Sequence, residues 1–254
     1  MFSIEHLNVL RATEIEVIVP HLSPGARVLE IGAGTGRQAL ELQRRGFDVI
    51  GIEIAGSPYA AERVFPVREY DGAHLPFPAT SFDVVFSSNA LEHVRDLTGI
   101  HSEIRRVLKP EGVAIHVLPT HAWRFWSIVT SFPSALVYLF TALRRIFPGS
   151  RDTRSLRRAW YEAAREAGAA LLQPRHGERG HGITELWLFH PWWWRRNFRR
   201  NGFTLISEEP MGLFYTGPVL LGAHLSLVRR AKLAKMLGSA CHLYVLRSNQ
   251  LAQP

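Results

Sequence analysis

One cysteine in 254 residues leaves no partner for a disulfide framework and too few thiolates for a cysteine-rich zinc site. Such cysteine usage fits a reducing compartment, so a cytoplasmic protein is expected. Histidine does not fill the gap, because His176 and His181 stand at a spacing that suits no zinc motif, and no metal is expected. The stretch Met1-Phe-Ser-Ile-Glu-His6 lacks a basic region followed by an apolar core, so no secretory leader is expected. Internal repeats and low-complexity tracts are lacking too. With 46% hydrophobic content, the chain can bury the core of one large domain with insertions.

Charge is unevenly spread. Residues 1–118 carry 11 basic and 15 acidic side chains, whereas 119–202 carry 14 arginines and 5 acids. The net charge of +8 therefore sits almost wholly in the second half. Such a patch favours anionic partners, among them membrane head groups, nucleic acid or an acidic substrate, and a plain solvated arginine-rich face reads equally well.

The stretch that organises the chain is Arg27-Val-Leu-Glu-Ile-Gly-Ala-Gly-Thr-Gly36. A short apolar run, three glycines and a helical pattern from Arg37 predict a buried strand, a tight turn and a helix start. Glycines at 32, 34 and 36 let backbone amides approach a ligand, and a helix N-terminus adds unpaired donors suited to a carboxylate or phosphate. Dinucleotide, nucleotide and S-adenosylmethionine (SAM) sites all use such a turn. Here Arg37 stands where G-x-G-x-x-G needs its third glycine, and Glu30 would repel a pyrophosphate but could accept from an ammonium. Glu53 ends the next expected strand, 47–53, where an acid accepts from two ribose hydroxyls.

Taken together with Asp71-Gly-Ala-His-Leu-Pro-Phe77, Ser81-Phe-Asp-Val-Val85, Ala90-Leu-Glu-His-Val94 and Glu103-Ile-Arg-Arg-Val-Leu-Lys-Pro-Glu-Gly112, the chain resembles the class I SAM-dependent methyltransferases of the broad small-molecule and quinone-type group. The likeness covers roughly residues 25 to 118. It implies SAM as cofactor and S-adenosylhomocysteine as product. Glu30, Gly32, Ala33, Gly34 and Gly36 would hold the methionine end, and Glu53, with Ile54 beside it, the ribose. Asp71 would accept from the adenine amino group, with Gly72 and Ala73 supplying backbone; a turn aspartate is the plainer reading. Ser88 and Asn89 would line the cleft at the carboxyl ends of the strands.

The expected architecture is a doubly wound, Rossmann-like, seven-stranded, mostly parallel sheet with an antiparallel last strand. A lead-in helix spans 3–20, and strands lie at 64–69, 82–87 and 113–118. Helices start at Ser57-Pro58, at Ala90 and at residue 99. One domain, 1–254, is expected, its core formed by 21–118, 190–210 and 240–248. Helical insertions follow strand five (119–190, the lid or substrate region) and separate strands six and seven (210–239). The first opens with an uncharged run of 19 residues from Phe125 to Leu143, ahead of Arg144-Arg145. Its length reaches the spanning threshold, but Pro133 and its place between core strands argue against a span. A lid over an apolar acceptor pocket, an interfacial helix and a buried helix pair remain. The second insertion repeats the theme, apolar and then basic, which points to a lipophilic acceptor, a peripheral place on an anionic membrane surface at its cytoplasmic face, or both.

Methyl transfer from a sulfonium needs a base only when the acceptor must lose a proton. His121, after strand five, is the first candidate and His93 the second; His116, His176 and His181 are further ones. Cys241 falls in the closing strand, which disfavours a cysteine nucleophile, and strand four lacks the N/D-P-P-Y/F motif of exocyclic-amine methylases. In His190-Pro-Trp-Trp-Trp-Arg-Arg-Asn-Phe-Arg-Arg200, aromatics could stack bases or seat at a membrane. The alternative packs Trp194 and Phe198 on the sheet. The expected reaction is O-methylation of a lipophilic small molecule, with nucleic acid disfavoured. An RNA or nucleotide methylase and a non-catalytic SAM-binding scaffold are the rivals.

Overall fold

The computed structural model describes residues 4–146, 174–216 and 225–249, with isolated residues between 157 and 168. The runs 147–156 and 217–224, which hold parts of both expected insertions, lie outside the described residues. The seven strands are β1 (Arg27–Ile31), β2 (Asp48–Ile54), β3 (Val67–Tyr70), β4 (Phe82–Ser88), β5 (Leu108–Pro119), β6 (Phe203–Pro210) and β7 (Cys241–Ser248). They form one sheet in the order β3-β2-β1-β4-β5-β7-β6. β1 to β5 pair in parallel, and β7 runs antiparallel to both β5 and β6.

Val28, Leu29, Glu30 and Ile31 are all buried, as a central parallel strand covered on both faces requires. Alternate residues face two cores. On one side Leu29, Ile31, Phe82, Val85 and Leu246 meet Trp194 and Phe198 and the helix α3, Leu97–Val107. On the other, Val28, Val49, Phe86 and Ile115 meet α1 (Ile4–Ile18) through Ile15 and Ile18, and α2 (Arg37–Arg44) through Ala39 and Leu42. The Asp96 carboxylate starts α3 by accepting from the Gly99 amide at 2.9 Å. Ile100, Ile104 and Val107, at helical spacing, then face the sheet. Burying each such side chain is worth roughly 1.5–3 kcal/mol.

Several local expectations change. Ser57-Pro58 starts no α-helix; a 3-10 turn at Ala60–Glu62 is all that forms, because Pro66 follows too soon for a stable helix. Ala90 likewise leads into a 3-10 turn, Leu91–His93. β5 begins at Leu108, with a register shift across Lys109–Gly112 where a plain turn was expected.

After β5, helix α4 runs from His121 to Ile146 through Pro133. No helix among the described residues is long and apolar enough to cross a membrane. Helix Leu227–Leu237 lies between β6 and β7. In helix Pro191–Arg200, Trp194 and Phe198 are buried in the core. Trp192 stays exposed, with Arg196 stacked on its ring at 5.4 Å.

Candidate functional site

The carboxyl ends of β1, β2, β3 and β4 open onto a cleft of about 890 Å³. Gly32, Ala33 and Gly34 form its floor, Glu53 and Ile54 one side, and Asp71, Gly72 and Ala73 the far end. Ser88, Asn89 and His93 line the opposite wall. The glycine turn takes its shape from backbone conformation. Gly32 has φ +75°, and a Cβ there would meet the Ala90 Cβ at 2.5 Å. The chain therefore closes against Ala90 only with glycine at 32. The Glu53 carboxylate bridges the turn to β2, accepting from the Gly34 amide at 2.8 Å and the Ile54 amide at 2.9 Å. Each oxygen keeps a lone pair for a further donor.

Two expected contacts lie elsewhere. Glu30 is not at the cleft surface: it is buried, receives an amide hydrogen bond from Ala39, and leaves Oε2 unpartnered. Burial pushes its carboxyl up to about 8. Gly36 also stands off the cleft, at the start of α2, where a Cβ would press on Phe65 at 2.6 Å. Both support the turn from beneath. Asp71 does line the cleft, but Oδ1 accepts from the amides of Ala73 (2.8 Å) and His74 (2.7 Å), and Oδ2 from the His74 ring (2.8 Å). The His74 amide first, then its ring, hold this carboxyl well below the usual range. That is the turn-aspartate geometry.

The histidines separate clearly. His121 is drawn away from the cleft by its neighbours: its amide donates to the Phe189 carbonyl at 3.2 Å, and its ring lies on that of His190 at 4.5 Å. The expectation that it is the best-placed base is corrected accordingly. His116 is buried between strands, bonded through Nδ1 to Ser87 Oγ at 2.8 Å. His181 sits on an exposed loop, its amide bonded to Thr184. His93 is the one histidine lining the cleft among the described residues. The His176 ring packs against it, centroids 4.9 Å apart. Burial holds both imidazoles below their ordinary range, His176 down to about 4.

Residues not singled out from the sequence complete the wall. Arg11 reaches the cleft from α1, donating to both Glu14 oxygens (2.9 and 2.7 Å) and to Ser88 Oγ (3.0 Å). With its amide turned to face Arg11, Asn89 accepts from both terminal nitrogens, at 2.6 and 3.1 Å. Asn89 adopts φ +50°, a conformation its short amide tolerates better than most side chains. Behind them Tyr215 bonds Cys241 Sγ at 3.0 Å, and burial pushes that thiol up to about 12. Cys241 is thus a structural thiol, not a nucleophile. Tyr59 and Tyr70 flank the far side, with the Tyr59 ring 3.5 Å from where a Gly34 Cβ would stand.

Comparison with known proteins bears on what fills this cleft. A family model described as a methyltransferase domain matches residues 29–116. A sterol 24-C-methyltransferase of Gibberella zeae is 35% identical over 103 residues, 36% of this chain and 27% of that protein. A demethylmenaquinone methyltransferase of Corynebacterium efficiens is 30% identical over 150 residues, 52% of this chain and 65% of that one. The chain thus spans about a quarter of the length of its sterol relatives. Among solved structures, a SAM-dependent methyltransferase from Mesorhizobium loti aligns with TM-score 0.54 at 17% identity, covering 92% of this chain and 97% of that one. One from Aquifex aeolicus aligns with TM-score 0.52 at 13% identity, covering 92% and 88%. These two show a shared fold. A glycine turn facing a ribose-binding acid would by itself admit several nucleosides. The family match runs through the strands and loops that build this cleft, so residues 29–116 are similar to a SAM-dependent methyltransferase domain, and that likeness points to S-adenosyl-L-methionine as the ligand of the cleft.

Proposed function

We propose that the chain is an enzyme that methylates a lipophilic small molecule, on oxygen, at the cytoplasmic face of a membrane. One observation carries the reading: the glycine turn, Glu53 and His93 share a single cleft, so nucleoside and acceptor sites adjoin. When bound, the sulfonium supplies an electrophilic methyl group and departs as a neutral thioether. The protein's part is chiefly to hold the acceptor in line, an effect worth roughly 7–11 kcal/mol in well-oriented systems. Glu53 binds and orients the ribose edge, and the turn amides face the methionine end. His93, on the wall with Ser88 and Asn89, is assigned the acceptor's hydroxyl and the proton it loses.

The lipophilic acceptor is supported by relatives named for a sterol and for demethylmenaquinone. α4 adds a second support. Phe125, Val129, Phe132 and Phe140 are exposed at helical spacing along one face, which suits an apolar ligand or the edge of a bilayer. The RNA alternative is less well supported, since Trp194 and Phe198 of the arginine-rich helix are buried and offer no stacking face.

The test is methyl-tritiated SAM offered with a panel of lipophilic phenols and hydroquinones in mixed micelles, and separately with total RNA. Label partitioning into organic solvent, reduced by His93→Ala, supports the reading. Label in RNA with a steep salt dependence, or tight S-adenosylhomocysteine binding with no transfer to either panel, would replace it by the nucleic-acid or scaffold reading.

A further inference from the structure

Glu92 is fully buried, and neither of its carboxylate oxygens meets a hydrogen-bond donor among the described residues. A carboxylate left so costs several kcal/mol unless a proton or cation neutralises it. Two imidazoles face it. Oε1 stands 3.9 Å from His93 Nε2 and 3.9 Å from His176 Nε2. One ligand atom from each of the three lies within 4.8 Å of the others.

We propose that Glu92, His93 and His176 form a divalent metal site on the wall of the methyl-transfer cleft. Sequence spacing hides the set, because His176 comes from a loop 83 residues beyond His93. That loop is held against the Leu91–His93 turn by hydrogen bonds to the turn's carbonyls. The Glu178 amide donates to the Glu92 carbonyl at 2.9 Å, and Arg179 donates to the carbonyls of Val94 and Leu91. A Cβ on Gly177 would come within 2.8 Å of the Glu92 carbonyl, so glycine is what lets the loop approach. Glu185 fixes the loop from behind, its Oε1 accepting from the His176 and Gly177 amides at 2.6 and 2.7 Å. The Trp123 ring packs on His176 at 4.6 Å. At metal–ligand distances of about 2.0–2.2 Å, neighbouring ligand atoms stand about 3–3.5 Å apart, so side-chain rotations that bring the atoms together by about 0.5–2 Å close the set.

Two imidazoles and one carboxylate suit zinc, cobalt(II), iron(II) or manganese(II) better than magnesium or calcium, which favour all-oxygen sets. Three protein ligands would leave positions open, and one of the three, His93, lines the cleft. Resting on the methyltransferase reading, the cation would take the acceptor's hydroxyl there and lower its pKa. The O–H bond then breaks with its proton passing to water, and the oxygen pair forms the O–CH3 bond. The S–CH3 pair stays on sulfur. In this arrangement His93 acts as a ligand and water takes the proton, which replaces the base role that the metal-free reading gives it.

The test titrates chelator-stripped protein with Co²⁺, read by visible absorption and calorimetry, beside S-adenosylhomocysteine binding and thermal melts. Wild type should bind one equivalent in the micromolar range or tighter. Glu92→Gln and His176→Ala should each weaken Co²⁺ binding at least ~10–100-fold, and His176→Ala should keep its affinity for S-adenosylhomocysteine. Folded protein that binds S-adenosylhomocysteine but no stoichiometric Co²⁺, or binds it equally in both variants, overturns the metal site and leaves the methyltransferase reading standing. Co²⁺ bound with no affinity for S-adenosylhomocysteine does the reverse. Should Glu92→Gln fail to fold, His176→Ala decides alone.

Discussion

The Gly34 amide donates to Glu53 Oε2 at 2.8 Å, joining the turn after β1 to the end of β2. The same carboxylate that would meet the ribose therefore also holds the loop that faces the methionine end. Replacing Glu53 by Ala should weaken S-adenosylhomocysteine binding by roughly 1.5–3 kcal/mol, the range for hydrogen bonds to a charged group. Calorimetry on the variant checks this, and an unchanged dissociation constant would remove Glu53 from the site.

At Gly32 the backbone holds φ +75° with the Ala90 Cβ in the way of any side chain. Gly32→Ala should cost at least ~1–3 kcal/mol of stability through backbone strain, plus whatever shift Ala90 must make. Denaturant unfolding gives the number. A variant as stable as wild type would contradict the packing described for the turn.

Arg11 and Glu14 form a buried pair, with Glu14 almost wholly enclosed. Arg11→Ala leaves the carboxylate without a cation, held only by the Ser88 and Tyr215 hydroxyls at 3.3 and 3.4 Å, and should destabilise by up to ~3 kcal/mol, the lower end for broken buried pairs. The double variant Arg11→Ala, Glu14→Ala should recover part of that loss. A double-mutant cycle measures the coupling, and strictly additive losses would show that the pair is not energetically coupled.

Glu30 is an acid whose folded pKa, about 8, lies above its ordinary value near 4.5 because burial disfavours the charged form. The folded state therefore binds the proton more tightly than the unfolded state. Its stability contribution is fully present below pH 4.5 and is lost as pH rises through 8. The slope can reach at most about 1.4 kcal/mol per pH unit for one proton. Glu30→Gln should flatten the stability–pH curve over that window. A curve of unchanged slope would mean that Glu30 is ionised when folded.

Much of this cleft was legible because its makers lie close in sequence. The glycine turn follows its strand directly, and Glu53 ends the next strand, so local pattern places both. Residues that reach the cleft across the fold were not legible. Arg11 meets Ser88 across 77 positions, and no spacing rule connects a lead-in helix to the end of β4. His121 and His93 each stand near the end of a central strand, yet His190 and Phe189 draw one aside while the other faces the cleft. Glu30 looked like an ammonium acceptor from its position before the first glycine. Coverage of β1 on both faces instead puts its carboxyl in the interior.

Calorimetric titration of the purified, folded chain with S-adenosylhomocysteine and with SAM tests the central claim most directly. One-to-one binding in the micromolar range, lost or much weakened in Glu53→Ala, is the predicted result. No detectable binding of either compound to folded protein would contradict the account.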